Sequence, residues 1–160
     1  MVQDKQGQKG GRMSMDASGV EARVRASFMR QGAMALLGAT VAHVAPGEVD
    51  LHLPFRPELT QQHGLFHGGF IATLCDSACG YAALTVLPAG QEVVSVEFKL
   101  NFMAPARGEH VVARGRVIRS GRTLTVCQGE VLVTEGGQER TVATMLATMM
   151  AVQDRAALTG

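Results

Sequence analysis

Two glycines and one carboxylate carry the strongest chemical signal in this chain. His67-Gly68-Gly69 opens an apolar run, residues 70–87, in which Asp76 is the only charged residue. Glycines at a helix start let a ligand approach backbone N–H groups that have no intrahelical acceptor, and the helix dipole there favours developing negative charge. A carboxylate inside an apolar helix is costly to bury and calls for a partner or a chemical use. Together they describe a carbonyl-polarising helix end and an acid serving as general base or nucleophile. The rise of a helix puts Asp76 about 12 Å along the axis from Gly68. A base must come within about 3 Å of the water it activates, so one chain cannot bring its own Asp76 to its own helix start. A two-fold pair of chains with antiparallel helices could, each site taking Gly68 from one chain and Asp76 from the other.

Blander readings of the same residues stand beside these. Asp76 could be a polar residue satisfied by Thr73, Ser77 or a facing backbone, and the glycine pair could simply allow close packing. His67 suits either direct chemistry or a hydrogen bond that shapes the loop. His63 and His67 are four apart, but Gly64 lies between them and no third ligand is evident, so no metal site is expected. No G-x-S-x-G elbow surrounds any serine, and no phosphate-binding or dinucleotide fingerprint is present.

The elements that must position these groups follow from periodicity. Val20, Val24, Phe28 and Leu36 recur at helical spacing, with Gly38 as a stop. Residues 40–54 alternate about a Pro46-Gly47 turn and predict a hairpin, and Pro54 and Pro57 lead into a polar loop. The apolar helix runs from Gly68 to about Val86 and ends at Pro88-Ala89-Gly90. The rest is β: Val93–Met103, Glu109–Arg119, Thr123–Val133 and Thr141–Val152, separated by turn-forming sequences that imply antiparallel pairing. The expected class is α+β, with about six antiparallel strands wrapped around one long central apolar helix and an additional N-terminal helix. That layout describes a hotdog fold.

Composition bounds the partners. A net charge of +1 gives no electrostatic case for nucleic acid or an acidic membrane surface. Cys75, Cys79 and Cys127 form no disulfide framework and point to a reducing compartment, hence the cytoplasm. Asp76, Ser77 and Gly80 within the apolar run argue for a core helix over a membrane span. Residues 1–18 read as a polar leader, either disordered or an appended expression tag, 19–152 as one domain and 153–160 as a short tail.

Gly64-Leu65-Phe66-His67-Gly68-Gly69, with Asp76 nine positions after His67, resembles the hotdog acyl-CoA thioesterases of the phenylacetyl-CoA (PaaI) type and their 4-hydroxybenzoyl-CoA relatives. The strand Val94 to Phe102, the Ala104-Pro105-Ala106 turn and the Gly121-Arg122-Thr123 hairpin extend the likeness over most of residues 20–152. The resemblance implies hydrolysis of an acyl-CoA thioester without metal or cofactor, by a homodimer or dimer of dimers. It implies that Gly68 donates its N–H to the thioester carbonyl, with Gly69 beside it at the substrate. Asp76 then activates water or attacks directly, Gln61 helps hold the carbonyl or the water, and Ser95 orients water. Some relatives carry Glu at the acid position and Thr one turn later, where this chain has Asp76 and Gly80. Arg107, Arg119 and Arg122, near hairpin turns, are either solvated strand ends or contacts to CoA phosphates. A non-catalytic acyl-CoA-binding or sensing protein is the rival reading; Asp76 argues against it, because binding alone needs no such carboxylate. A hotdog hydratase would pair His with a carboxylate at a spacing absent here. The acyl group stays open, with Phe66, Phe70, Tyr81 and the first helix as candidate pocket walls.

Overall fold

The computed structural model describes residues 17–153, so most of the expected leader and nearly all of the tail lie outside the described residues. In chain order the elements are α1 (Ala17–Phe28), α2 (Gly32–Leu37), β1 (Thr40–Ala45), β2 (Glu48–Pro54), α3 (Gly68–Thr85), β3 (Gln91–Phe102), β4 (His110–Ser120), β5 (Leu124–Glu135) and β6 (Gln138–Gln153). The strands form one six-stranded sheet in the order β1-β2-β4-β5-β6-β3, every neighbouring pair antiparallel. Alternation fixes which face is inward. Val111 and Ala113 on β4, and Val131 and Val133 on β5, are buried against α3, while Arg114 and Glu130 point away from it. This is the α+β hotdog arrangement expected from the sequence. Among the described residues no helix is long and apolar enough to cross a membrane.

Glycine sets how deeply the helix lies in the sheet. Gly115 of β4 and Gly129 of β5 are cross-strand partners. A Cβ on Gly115 would stand 2.3 Å from the Ala78 carbonyl oxygen, and one on Gly129 would stand 2.4 Å from Cys75 Sγ. The small face of α3, made by Cys75, Ala78 and Cys79, therefore rests directly on the strand backbones. The opposite stripe, Gly69, Thr73, Asp76 and Gly80, is only partly covered. Its spacing of four, three and four residues keeps it on one side of the helix.

The expected N-terminal helix is present but breaks over residues 29–31. Arg30 and Gln31 donate their N–H groups to Ser27 and Phe28 carbonyls in tightened turns, Gln31 takes an extended conformation, and Gly32 opens α2. The break changes the buried register. Val20, Val24 and Phe28 pack inward as expected, but Leu36 is 77% exposed and Met34 and Leu37 are buried in its place. Arg23 fastens α1 to the turn after α3, donating to the carbonyls of Leu87 and Pro88, at 3.0 and 3.2 Å, and of Gln91.

Strand β3 closes one end of the sheet with its outer edge unpaired among the described residues. It is long and exposes Val96, Phe98 and Phe102, with Met103 just beyond. Natural proteins seldom leave such an edge bare.

Candidate active site

The loop before α3 is built to present one amide. Residues 59–67 fold back on themselves: His67 N–H donates to the Leu59 carbonyl, Gln61 N–H to Leu65, and Gly64 closes the turn at φ 74°. His67 caps α3, its Nδ1 accepting from Gly69 N–H at 3.0 Å. The Phe70 and Ile71 N–H groups donate to the His67 carbonyl. Of the first turn's donors, only the Gly68 N–H has no acceptor among the described residues. A Cβ on Gly68 would lie 2.7 Å from the tip of the exposed Phe102 ring, which would have to swing aside. Gln61 spends its side-chain oxygen on the His63 N–H and keeps its amide NH2 free of protein partners among the described residues.

Asp76 lies two turns further along α3, half-buried on the uncovered stripe. Its Oδ1 accepts a hydrogen bond of 2.7 Å from Ser95 Oγ on β3, and Oδ2 has no partner among the described residues. The neighbouring helix hydroxyls are engaged elsewhere: Thr73 donates to the Gly69 carbonyl at 2.9 Å and Ser77 to Gln31 Oε1 at 3.5 Å. The carboxylate is thus held from across the sheet rather than from its own helix. Within one chain the structure brings Asp76 to Ser95, and Gly68 to His67, while the two groups stay apart on a continuous helix.

A cavity of about 170 Å³ opens beside Asp76, between α3, the start of β3 and the corner between α1 and α2. Ser27, in the last turn of α1, and Gln31, turned inward by the break after α1, line it, and the sequence singled out neither. Burial pushes the Tyr81 hydroxyl above its usual pKa, so it keeps its proton. Two of the buried thiols, Cys79 and Cys127, are poor nucleophiles. The bond to Cys75, followed by burial, raises Cys79, and burial pushes Cys127 up to about 12.

The three arginines do not form one cluster. Arg107 borders an open groove with His63 and Gly64, at the Gly68 end of the molecule. Arg119 and Arg122 flank the β4–β5 turn at the other end of β4, about 35 Å away along an extended strand. That turn lies near Ser95: in the sheet register Ser95 faces Met149, which faces Thr125. None of the three guanidinium groups is in an ion pair among the described residues.

Residues 63–140 match the family model described as the thioesterase superfamily. A crystal structure of a thioesterase family protein from Silicibacter pomeroyi is 47% identical, with a TM-score of 0.83, covering 84% of this chain and 99% of that one. Human acyl-coenzyme A thioesterase 13 is 36% identical over 86 residues, which are 53% of this chain and 61% of the human protein. The PaaI protein from the phenylacetic acid degradation operon of Escherichia coli shares the fold, with 19% identity and a TM-score of 0.77 over 85% of this chain and 95% of its own.

Proposed function

The chain belongs to the thioesterase superfamily and is a thioester hydrolase; from that premise we propose that it hydrolyses acyl-CoA at a site shared by two antiparallel copies of α3. The observation carrying this reading is the pairing, on one helix, of an unpartnered Gly68 N–H and a carboxylate oriented by Ser95. The two are too far apart to serve one substrate within a chain. A partner chain lying antiparallel along the partly covered stripe would bring its Gly68 to Asp76. The bare edge of β3 and its apolar side chains give such a partner a second surface to bury.

In the proposed reaction the partner's Gly68 N–H holds the thioester oxygen, and Asp76 takes a proton from water as the water oxygen attacks the carbonyl carbon. The resulting oxyanion stays on the amide. One such donor is worth roughly 3 kcal/mol of barrier, and general-base help adds about a hundredfold or more. The C–S bond then breaks, the CoA sulfur takes the proton back from Asp76, and the free acid remains. Ser95 holds one carboxylate oxygen so that the other faces the water, and the Gln61 amide donates to the carbonyl or the water. His67 serves by capping, which leaves the Gly68 N–H as the open donor. Arg107 of the partner subunit and Arg119 and Arg122 of the chain supplying Asp76 contact the CoA phosphates, which solves the distance between them. Three buried thiols suit a reducing cytoplasm.

Thiol release from acyl-CoA esters tests this. Asp76→Ala is expected to lower turnover about a hundredfold or more while keeping ester binding. Gly68→Pro removes the N–H, and Gly68→Ala keeps it while presenting the same Cβ to Phe102, so the pair separates the donor from the steric effect. Mixing Asp76→Ala with Gly68→Pro chains should restore part of the activity through hybrid dimers that hold one intact site. No recovery despite confirmed chain exchange would remove the shared site.

A further inference from the structure

Resting on Asp76 as the hydrolytic centre, we infer that the cavity beside it is an acyl pocket selective for a compact tail ending in a hydrogen-bonding group, with Gln31 and Gly80 as the specificity-determining residues.

Three observations support this. The first is Gly80. A glycine inside a helix costs about 1 kcal/mol relative to alanine, and packing does not demand one here: a Cβ would meet nothing nearer than Val93 Cγ1, at an ordinary 3.9 Å. The fold leaves open, at some cost, a space one turn beyond Asp76 and on the cavity wall.

The second is size. A cavity of about 150 Å³ holds a benzene-sized group, so the 170 Å³ beside Asp76 suits a short tail.

The third is the lining. Leu84 and Val93 give an apolar wall for a stem, whereas Ser27, Gln31 and Tyr81 make a polar end. Tyr81 lies about 7.5 Å along the helix from Asp76, which is the reach of a tail of about six carbons. The Gln31 backbone is pinned on both sides. Its N–H donates to the Phe28 carbonyl, and its own carbonyl accepts from Met34 and Ala35. Its side-chain oxygen accepts from Ser77, and the amide NH2 has no protein partner among the described residues. Arg23 fixes the approach of α1 and thereby of Ser27. At the Tyr81 end the charges of Arg30 and Glu92 act in opposite senses, so the hydroxyl and amide groups carry the selectivity there.

The test compares two tails of equal length, hexanoyl-CoA and ω-hydroxyhexanoyl-CoA, with acetyl-CoA and palmitoyl-CoA as size limits. The wild-type protein should favour the hydroxyl-ended ester over hexanoyl-CoA by roughly tenfold in kcat/KM, with palmitoyl-CoA poorest. In Gln31→Leu the hydroxyl-to-plain ratio should fall to about one. In Gly80→Val, hexanoyl-CoA should lose about tenfold or more relative to acetyl-CoA. Each readout is a ratio within one preparation, so a partly folded variant does not distort it. A wild type preferring hexanoyl-CoA or palmitoyl-CoA, an unchanged ratio in Gln31→Leu, or an unchanged chain-length profile in Gly80→Val would overturn the inference. If no ester is hydrolysed, the hydrolytic reading fails by itself. Binding of thioether analogues of the hydroxyl-ended and plain esters, measured by calorimetry, then decides the pocket: preference for the hydroxyl upholds it and indifference overturns it.

Discussion

Asp76 and Ser95 form the smallest unit on which the proposed chemistry depends. The 2.7 Å bond between them fixes the carboxylate's direction, and a misdirected base loses rate before it loses binding. Ser95→Ala is therefore expected to lower kcat about tenfold with little change in KM, and Ser95→Thr, which keeps the hydroxyl, should recover most of the loss. Steady-state kinetics on one acyl-CoA would check both, and an equal loss in the two variants would reduce Ser95 to a packing residue. Asp76 was legible in the sequence because nothing else in its helix is charged. Its partner was less so. Thr73 and Ser77 are nearer in sequence, yet each already serves another acceptor, and only the folded sheet brings β3 across to the acid. For His67 the residue type alone left two roles open; the 3.0 Å cap to Gly69 N–H commits its ring nitrogen to the helix start.

Among the elements, α3 follows most directly from its sequence, since a long apolar run between a glycine pair and Pro88 leaves little alternative. The strands were equally plain from alternation and turn residues, with ends shifted by a residue or a few. The corner between α1 and α2 was hidden. Periodicity carried the first helix through Leu36, whereas the chain tightens after Ser27 and restarts at Gly32, exposing Leu36 and delivering Gln31 to the cavity. Gln31-Gly32 inside an apolar pattern was the available signal. Helix propensity also gives a test independent of activity. Gly80→Ala should stabilise the protein by up to about 1 kcal/mol, raising Tm by roughly 2–4 °C in a domain of this size. A lower Tm by calorimetry would mean that a neighbouring surface closes on Gly80, and the space assigned to the acyl group would have another occupant.

At the scale of the molecule, the edge of β3 joins stability to activity. Phe98 is 43% exposed and Val96 53%, on a strand with a neighbour on one side only among the described residues. Phe98→Asp is expected to shift the protein to monomer in light scattering and to remove about a hundredfold of the turnover, although Asp76 and Ser95 are untouched. A monomeric variant with full activity would refute a site assembled from two chains. The glycines under α3 bear on the same question from the opposite side of the helix. Gly115 and Gly129 determine how far Asp76 stands above the strands, and so how wide a gap separates it from any mate. The reach of the acid is governed by two positions that carry no functional group, on strands that never touch the thioester. Altering them would move α3, and Asp76 with it, relative to Ser95 and to the mate of the proposed dimer, without changing any reacting side chain.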